Sequence, residues 1–149
     1  MNSTLLRLSR EERIRRQPTS QKELAALLGI VDRSLQDAET GRISADLRFS
    51  AAYDAARQLA TILLRCAGYR ASGIGAHAAT FEALPAIMGT DEAELADYFD
   101  SCRAKRNALE YDSAGRVSET EARELAQEAR CFRTRVLTWV KRHHPTLLQ

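Results

Sequence analysis

Ten residues, Arg103-Ala104-Lys105-Arg106-Asn107-Ala108-Leu109-Glu110-Tyr111-Asp112, gather three cations, a carboxamide, a phenol and two carboxylates. They sit near the end of a helical pattern. Leu95, Phe99, Cys102, Arg106 and Leu109 are spaced 4, 3, 4 and 3 residues apart, so they share one helix face. Four of these five are apolar and face a core. A guanidinium on the same stripe needs an anionic partner or a wet groove. The plain alternative is that Arg106 turns to the helix edge and pairs with Glu110, although that order of charges is the less favourable one. Both readings stay open on local grounds.

The elements that would position this stretch follow from caps and periodicity. Ser20 and Glu23 form a capping-box pattern ahead of Leu24, Leu28, Val31, Leu35 and Ala38, which predicts a first helix over 21–39 ended near Gly41. Ser44 caps a second helix with Ala52, Ala55, Leu59, Ile62 and Cys66 on its buried face, stopped by Gly68. Its alanine pairs permit close helix approach. Residues 68–76 read as a glycine-bearing loop without the register or the preceding strand of a dinucleotide site. A shorter helix spans about 76–88, with Pro85 as a kink or break and His77 at its start as a neutral capping residue. The fourth helix covers about 91–111, a turn follows at 112–116, and Ser118 with Glu121 opens a last helix that runs to His143 before Pro145. No alternating strand pattern or tandem repeat appears. Residues 1–19, rich in Arg, read as a basic N-terminal arm, a short helix or loose segment, and 20–149 as one all-α bundle domain of four to five helices.

Bulk numbers agree with a globular chain. It has 149 residues, 44% hydrophobic and 28% charged, enough for one domain with a real core. The net charge of +2 announces no nucleic-acid partner by itself. Charge is uneven along the chain: residues 91–100 hold five acids and no base, and 129–149 hold five Lys or Arg and no acid. Helix dipoles favour that arrangement. Cys66, Cys102 and Cys131 show no Cys-x-x-Cys spacing and fit buried thiols in a reducing cytosol. The absence of a long apolar run or a secretory signal predicts a cytoplasmic protein without a membrane span.

No metal site or cofactor is expected. His143 and His144 are adjacent and point about 100° apart on a helix. No Glu-x-x-His pair supports a di-iron bundle, and no Ser/His/Asp signal emerges. Residues 21–41 resemble the helix-turn-helix of phage-repressor-type domains at Gln21, Leu24, Ala25, Gly29, Leu35, Glu39 and Gly41. That reading needs a turn around Gly29–Asp32, yet the apolar phase continues from Leu28 through Val31 to Leu35. It is kept as the alternative, along with a purely structural interaction bundle.

Arg103-x-Lys105-Arg106-Asn107-x-x-x-Tyr111-Asp112, taken with Arg48-Phe49-x-x-Ala52-Tyr53-Asp54-Ala55-Ala56, Ala67-Gly68-Tyr69-Arg70 and His77-x-x-Thr80, resembles the HEPN superfamily. The resemblance covers about residues 20–143, and Arg106-Asn107 is its most specific element. It implies an up-down bundle that forms a homodimer, so that the two Arg-Asn motifs share a basic cleft. It also implies a place in a toxin–antitoxin, nucleotidyltransferase-linked or defence module, with an antitoxin or nucleotidyltransferase as partner protein.

In the family's ribonucleases the Arg holds the scissile phosphate and a His about a turn later serves proton transfer. Here Tyr111 and Asp112 stand in that stretch. A phenol with a pKa near ~10 is a poor base at neutral pH, but it donates hydrogen bonds to phosphate and stacks on bases. The resemblance therefore implies binding of RNA or nucleotide phosphate through Arg103, Lys105 and Arg106. Arg106, Asn107 and Tyr111 are the catalytic candidates should the protein be an endoribonuclease.

Overall fold

Four of the six α-helices among the described residues begin at an Asn or Ser whose side chain accepts a backbone N–H of the first turn. The computed structural model describes residues 2–109 and 116–148. In chain order the elements are α1 (Ser3–Arg10), β1 (Ile14–Arg16), α2 (Gln21–Glu39), α3 (Ala45–Cys66), β2 (Tyr69–Ala71), α4 (Ala76–Met88), α5 (Ala93–Leu109) and α6 (Glu119–His143). Single 3₁₀ turns precede α5 and follow α6. Among the described residues the architecture is all-α apart from one two-stranded ladder.

The long helices match the sequence expectations closely. At Ser118 both halves of the capping box form: Glu121 N–H donates to Ser118 Oγ, and Ser118 N–H donates to Glu121 Oε1, each at 3.0 Å. Ser20 accepts from Glu23 N–H at 3.1 Å, but the Glu23 carboxylate turns away to Thr19 and Arg65, leaving that box half made. α3 is the central element. Its alanines Ala52, Ala55, Ala56 and Ala60 are buried and let α2 and α6 pack closely on either side. Across the core Tyr53, Phe81, Phe99 and Phe132 form a chain of tilted rings with centroids 5.9, 5.7 and 5.2 Å apart.

Three expectations change. α2 runs unbroken through Gly29 and Asp32, where a helix-turn-helix needs its turn. Its would-be recognition half instead lies along α6, with Arg133 Nε on Asp32 at 2.7 Å and Arg130 Nε on Glu39 at 3.1 Å. The helix-turn-helix alternative is thereby overturned. Second, α4 passes through Pro85 without breaking. Third, the N-terminal segment is docked rather than loose. β1 pairs antiparallel with β2, with Ile14 opposite Ala71 and Arg16 opposite Tyr69. Leu5, Leu8 and Ile14 form a second small core with Leu64, Tyr69, Ala79 and Ala83. Arg65, 4% exposed, fastens this edge by donating to Glu23 at 2.6 Å and to the Pro18 carbonyl at 3.1 Å. The part of the expected turn at residues 112–115 lies outside the described residues.

Candidate functional site

Helical spacing places Arg103 and Asn107 one turn apart, and both line a cavity of about 310 Å³ whose opposite wall is the start of α4 with Gly73, Gly75 and His77. Gly75 takes the left-handed conformation (φ 80°) that begins α4 without a side-chain cap. The capping role expected of His77 is therefore not taken up: α4 begins at Gly75 with no side-chain cap. His77 points instead toward α3, where Nδ1 lies 3.5 Å from the Tyr53 hydroxyl.

Arg106 resolves the question raised by its place on an apolar stripe. Its side chain is 24% exposed, and its guanidinium meets Asp54 of α3 at 3.4 Å while lying over the Tyr53 ring at 5.4 Å from the centroid. It is therefore held between an anion and an aromatic face, as a core-facing arginine requires. Glu110 and Tyr111, the partner in the plain alternative and the predicted phenol, lie outside the described residues.

The predicted cations do not converge. Arg103 faces the cavity and is paired with Asp100 at 2.8 Å. Lys105 is two residues on, hence on another face, and pairs with Glu121 of α6 beside a different cavity lined by Phe49 and Cys102.

A further cation, Arg57, sits one turn after Tyr53 and Asp54 on α3 and acts electrostatically on Tyr53 and His77 without lining the cavity. Among the described residues it has no ion pair, and its Nε is buried without a hydrogen-bond partner. Sequence reasoning passed over Arg57. Of the three arginines of α3, Arg48 and Arg65 pair with Glu119 and Glu23, and Arg57 is the one set in the alanine-rich middle of the helix.

This surrounding cationic field acts on both neighbouring titratable groups. Burial first, then Arg57 and Arg106, hold the His77 imidazole below its ordinary 6.5, so it is neutral at pH 7. Burial pushes the Tyr53 phenol up to about 12 against the opposing pull of Arg57 and Arg106. Chemically, the arrangement offers guanidiniums for an anionic oxygen, a carboxamide, and a neutral imidazole oriented by a phenol that keeps its proton.

Among the described residues no group of three or more His, Cys, Asp or Glu could hold a metal ion, and no helix is long and apolar enough to cross a membrane. Compared with known proteins, the sequence matches no family model, and neither a curated protein nor a solved structure shows significant similarity to it.

Proposed function

We propose that the face built from α3, the start of α4 and the end of α5 binds the phosphates of RNA or of a nucleotide, in a HEPN-type homodimer whose two copies bring these faces together. One observation carries the reading. Arg57, Arg103 and Arg106 come from two helices around a single Tyr53–His77 contact, and among the described residues two carboxylates, Asp54 and Asp100, pair with them. A cationic excess held beside an open cavity suits an anion better than a structural network, which would neutralise each charge. The exposed Asn107 at the cavity wall and the fully exposed Ile74 in the adjoining loop are the side chains a second copy would cover. The resemblance to HEPN bundles adds an antitoxin or nucleotidyltransferase as the expected partner protein.

The test is fluorescence anisotropy of a labelled single-stranded RNA over a series of KCl concentrations, with sedimentation equilibrium on the same samples. Arg106→Ala and Arg103→Ala should each weaken binding and flatten the log–log salt slope by about 0.7 for every phosphate the variant no longer neutralises. A salt-independent affinity, or variants that bind as the wild type does, would sink the proposal. A stable dimer with no RNA affinity would leave the purely structural bundle.

A further inference from the structure

α5 and α6 both pack on α3, yet beyond the ring contact of Phe99 with Phe132 they scarcely meet each other. A cavity of about 470 Å³ opens between them, where Leu95 and Tyr98, both packed on the core, lie between the carboxylates of Asp91, Glu94, Glu124 and Glu128. Past Tyr98 and Glu124 it continues into a second cavity of about 230 Å³ that reaches Phe49 and Cys102. Together the two make a groove about 20 Å long, the rise of the chain from Asp91 to Lys105. An ion pair ties its walls at each end, Glu92 with Arg135 and Lys105 with Glu121.

The charge along this groove is one-sided. Asp91, Glu94, Glu124 and Glu128 have no cationic partner among the described residues. Asp91 and Glu94 stand at the start of α5, where the helix dipole accounts for acids. Glu124 and Glu128 lie beyond the first turn of α6, out of the dipole's reach, and their i, i+4 spacing makes them repel. Burial first, then Cys102, Glu124 and Glu128, hold the Tyr98 phenol above its ordinary 10. The groove thus joins an apolar, aromatic floor to carboxylates that the fold leaves unneutralised.

We propose that the α5–α6 groove docks a Lys- or Arg-bearing amphipathic helix of a partner protein. Apolar side chains of that helix fill the space over Leu95, Tyr98 and Phe49, and its cations meet Glu124 and Glu128 on one wall and Asp91 and Glu94 on the other. The length suits about four turns of helix. A polyamine would leave the apolar floor uncovered, and the carboxylates repel a nucleic acid. The groove lies on another face of α5 from Arg103 and Asn107, so the inference stands apart from the phosphate-binding reading.

The experiment follows the fluorescence anisotropy of a labelled peptide of about 14 residues, with leucine at i, i+3, i+4 and i+7 and lysine elsewhere, titrated with the full chain. The wild type should bind it, more weakly as KCl rises. Glu124→Lys and Glu128→Lys should each weaken binding about 10-fold or more. Asp37→Lys, an equal change of charge at an exposed position of α2 outside the groove, should bind as the wild type does. A peptide with serine in place of leucine should also bind about 10-fold more weakly. Failure of the wild type to bind, reversal variants that bind normally, equal loss in Asp37→Lys, or equal binding of the serine peptide would each overturn the proposal. Amide shifts of the wild type on adding peptide should centre on residues 91–105 and 121–135. A map centred elsewhere overturns the site too, and it decides even where a variant does not fold.

Discussion

The guanidinium of Arg106 lies over the ring of Tyr53, 5.4 Å from its centroid. This contact joins the end of α5 to the middle of α3, and Asp54 closes on the same guanidinium at 3.4 Å. It also puts a permanent charge within reach of the Tyr53–His77 pair, which can be read out directly.

Removing Arg106 should raise the titration midpoint of His77. In the folded protein burial, Arg57 and Arg106 keep that midpoint below 6.5. The imidazole C–H resonances followed by NMR should show the low value in the wild type and a higher one in Arg106→Ala and in Arg57→Ala. Because the folded value is depressed, the stability that His77 contributes is complete above 6.5 and declines as pH falls toward the folded midpoint. Urea midpoints should therefore drop over that window in the wild type and less so in Arg106→Ala.

Phe99 occupies the centre of the aromatic chain, fully buried between Phe81 and Phe132 at 5.7 and 5.2 Å. Phe99→Ala empties a ring-sized volume that packed neighbours cannot refill. A loss of about 3–5 kcal/mol is expected, seen as a large fall in the urea midpoint. Phe99→Leu should recover most of it.

Arg65→Met tests the edge fastening. Without the guanidinium, the Pro18 carbonyl and one side of Glu23 are stranded, but the Glu23 side chain is 39% exposed and keeps water. The cost is therefore that of charge-assisted hydrogen bonds, about 1–3 kcal/mol, and not that of an abandoned buried ion. Limited proteolysis should cut near residues 11–20 in the variant before the wild type. The Thr19 hydroxyl and then Arg65 hold the Glu23 carboxyl below its ordinary 4.5. Stability from that carboxylate is present above 4.5 and lost as pH falls through the lowered value, so the acid limb should be shallower in Arg65→Met.

Gly75→Ala should cost about 1–2 kcal/mol in urea unfolding. No heavy atom lies within 4 Å of the added Cβ, so the penalty is that of φ 80° alone.

Helix bounds were legible wherever a cap and a long stripe coincided. Ser118 with Glu121, and Ser44 ahead of the alanine-rich stripe, each marked a start that the structure keeps. A short helix was one of two readings of residues 1–19, and α1 takes it, whereas the β1–β2 ladder was not legible. Eight residues are too few for a periodic signal to choose between those readings, and Ile14 pairs with Ala71 across the whole of α2 and α3, a separation no local pattern spans. The site divides along the same line. Arg103 and Asn107 share a face by spacing alone, whereas Lys105 and Arg106 are sent to α6 and α3 by the helix turn. His77 and Arg57 join them through the packing of α4 and α5 on α3, a relation no local pattern encodes.

Among the described residues, the strand from Ile14 to Arg16 is the sole ladder partner of the short segment that leads into Gly73 and Gly75. An expression boundary drawn at Ser20 would strip that partner away and leave Leu64, Ala79 and Ala83 as a greasy strip open to solvent. The shortened product would then stick to itself through the uncovered strip. Its apparent oligomer would report a cloning choice, and say nothing about how intact subunits meet.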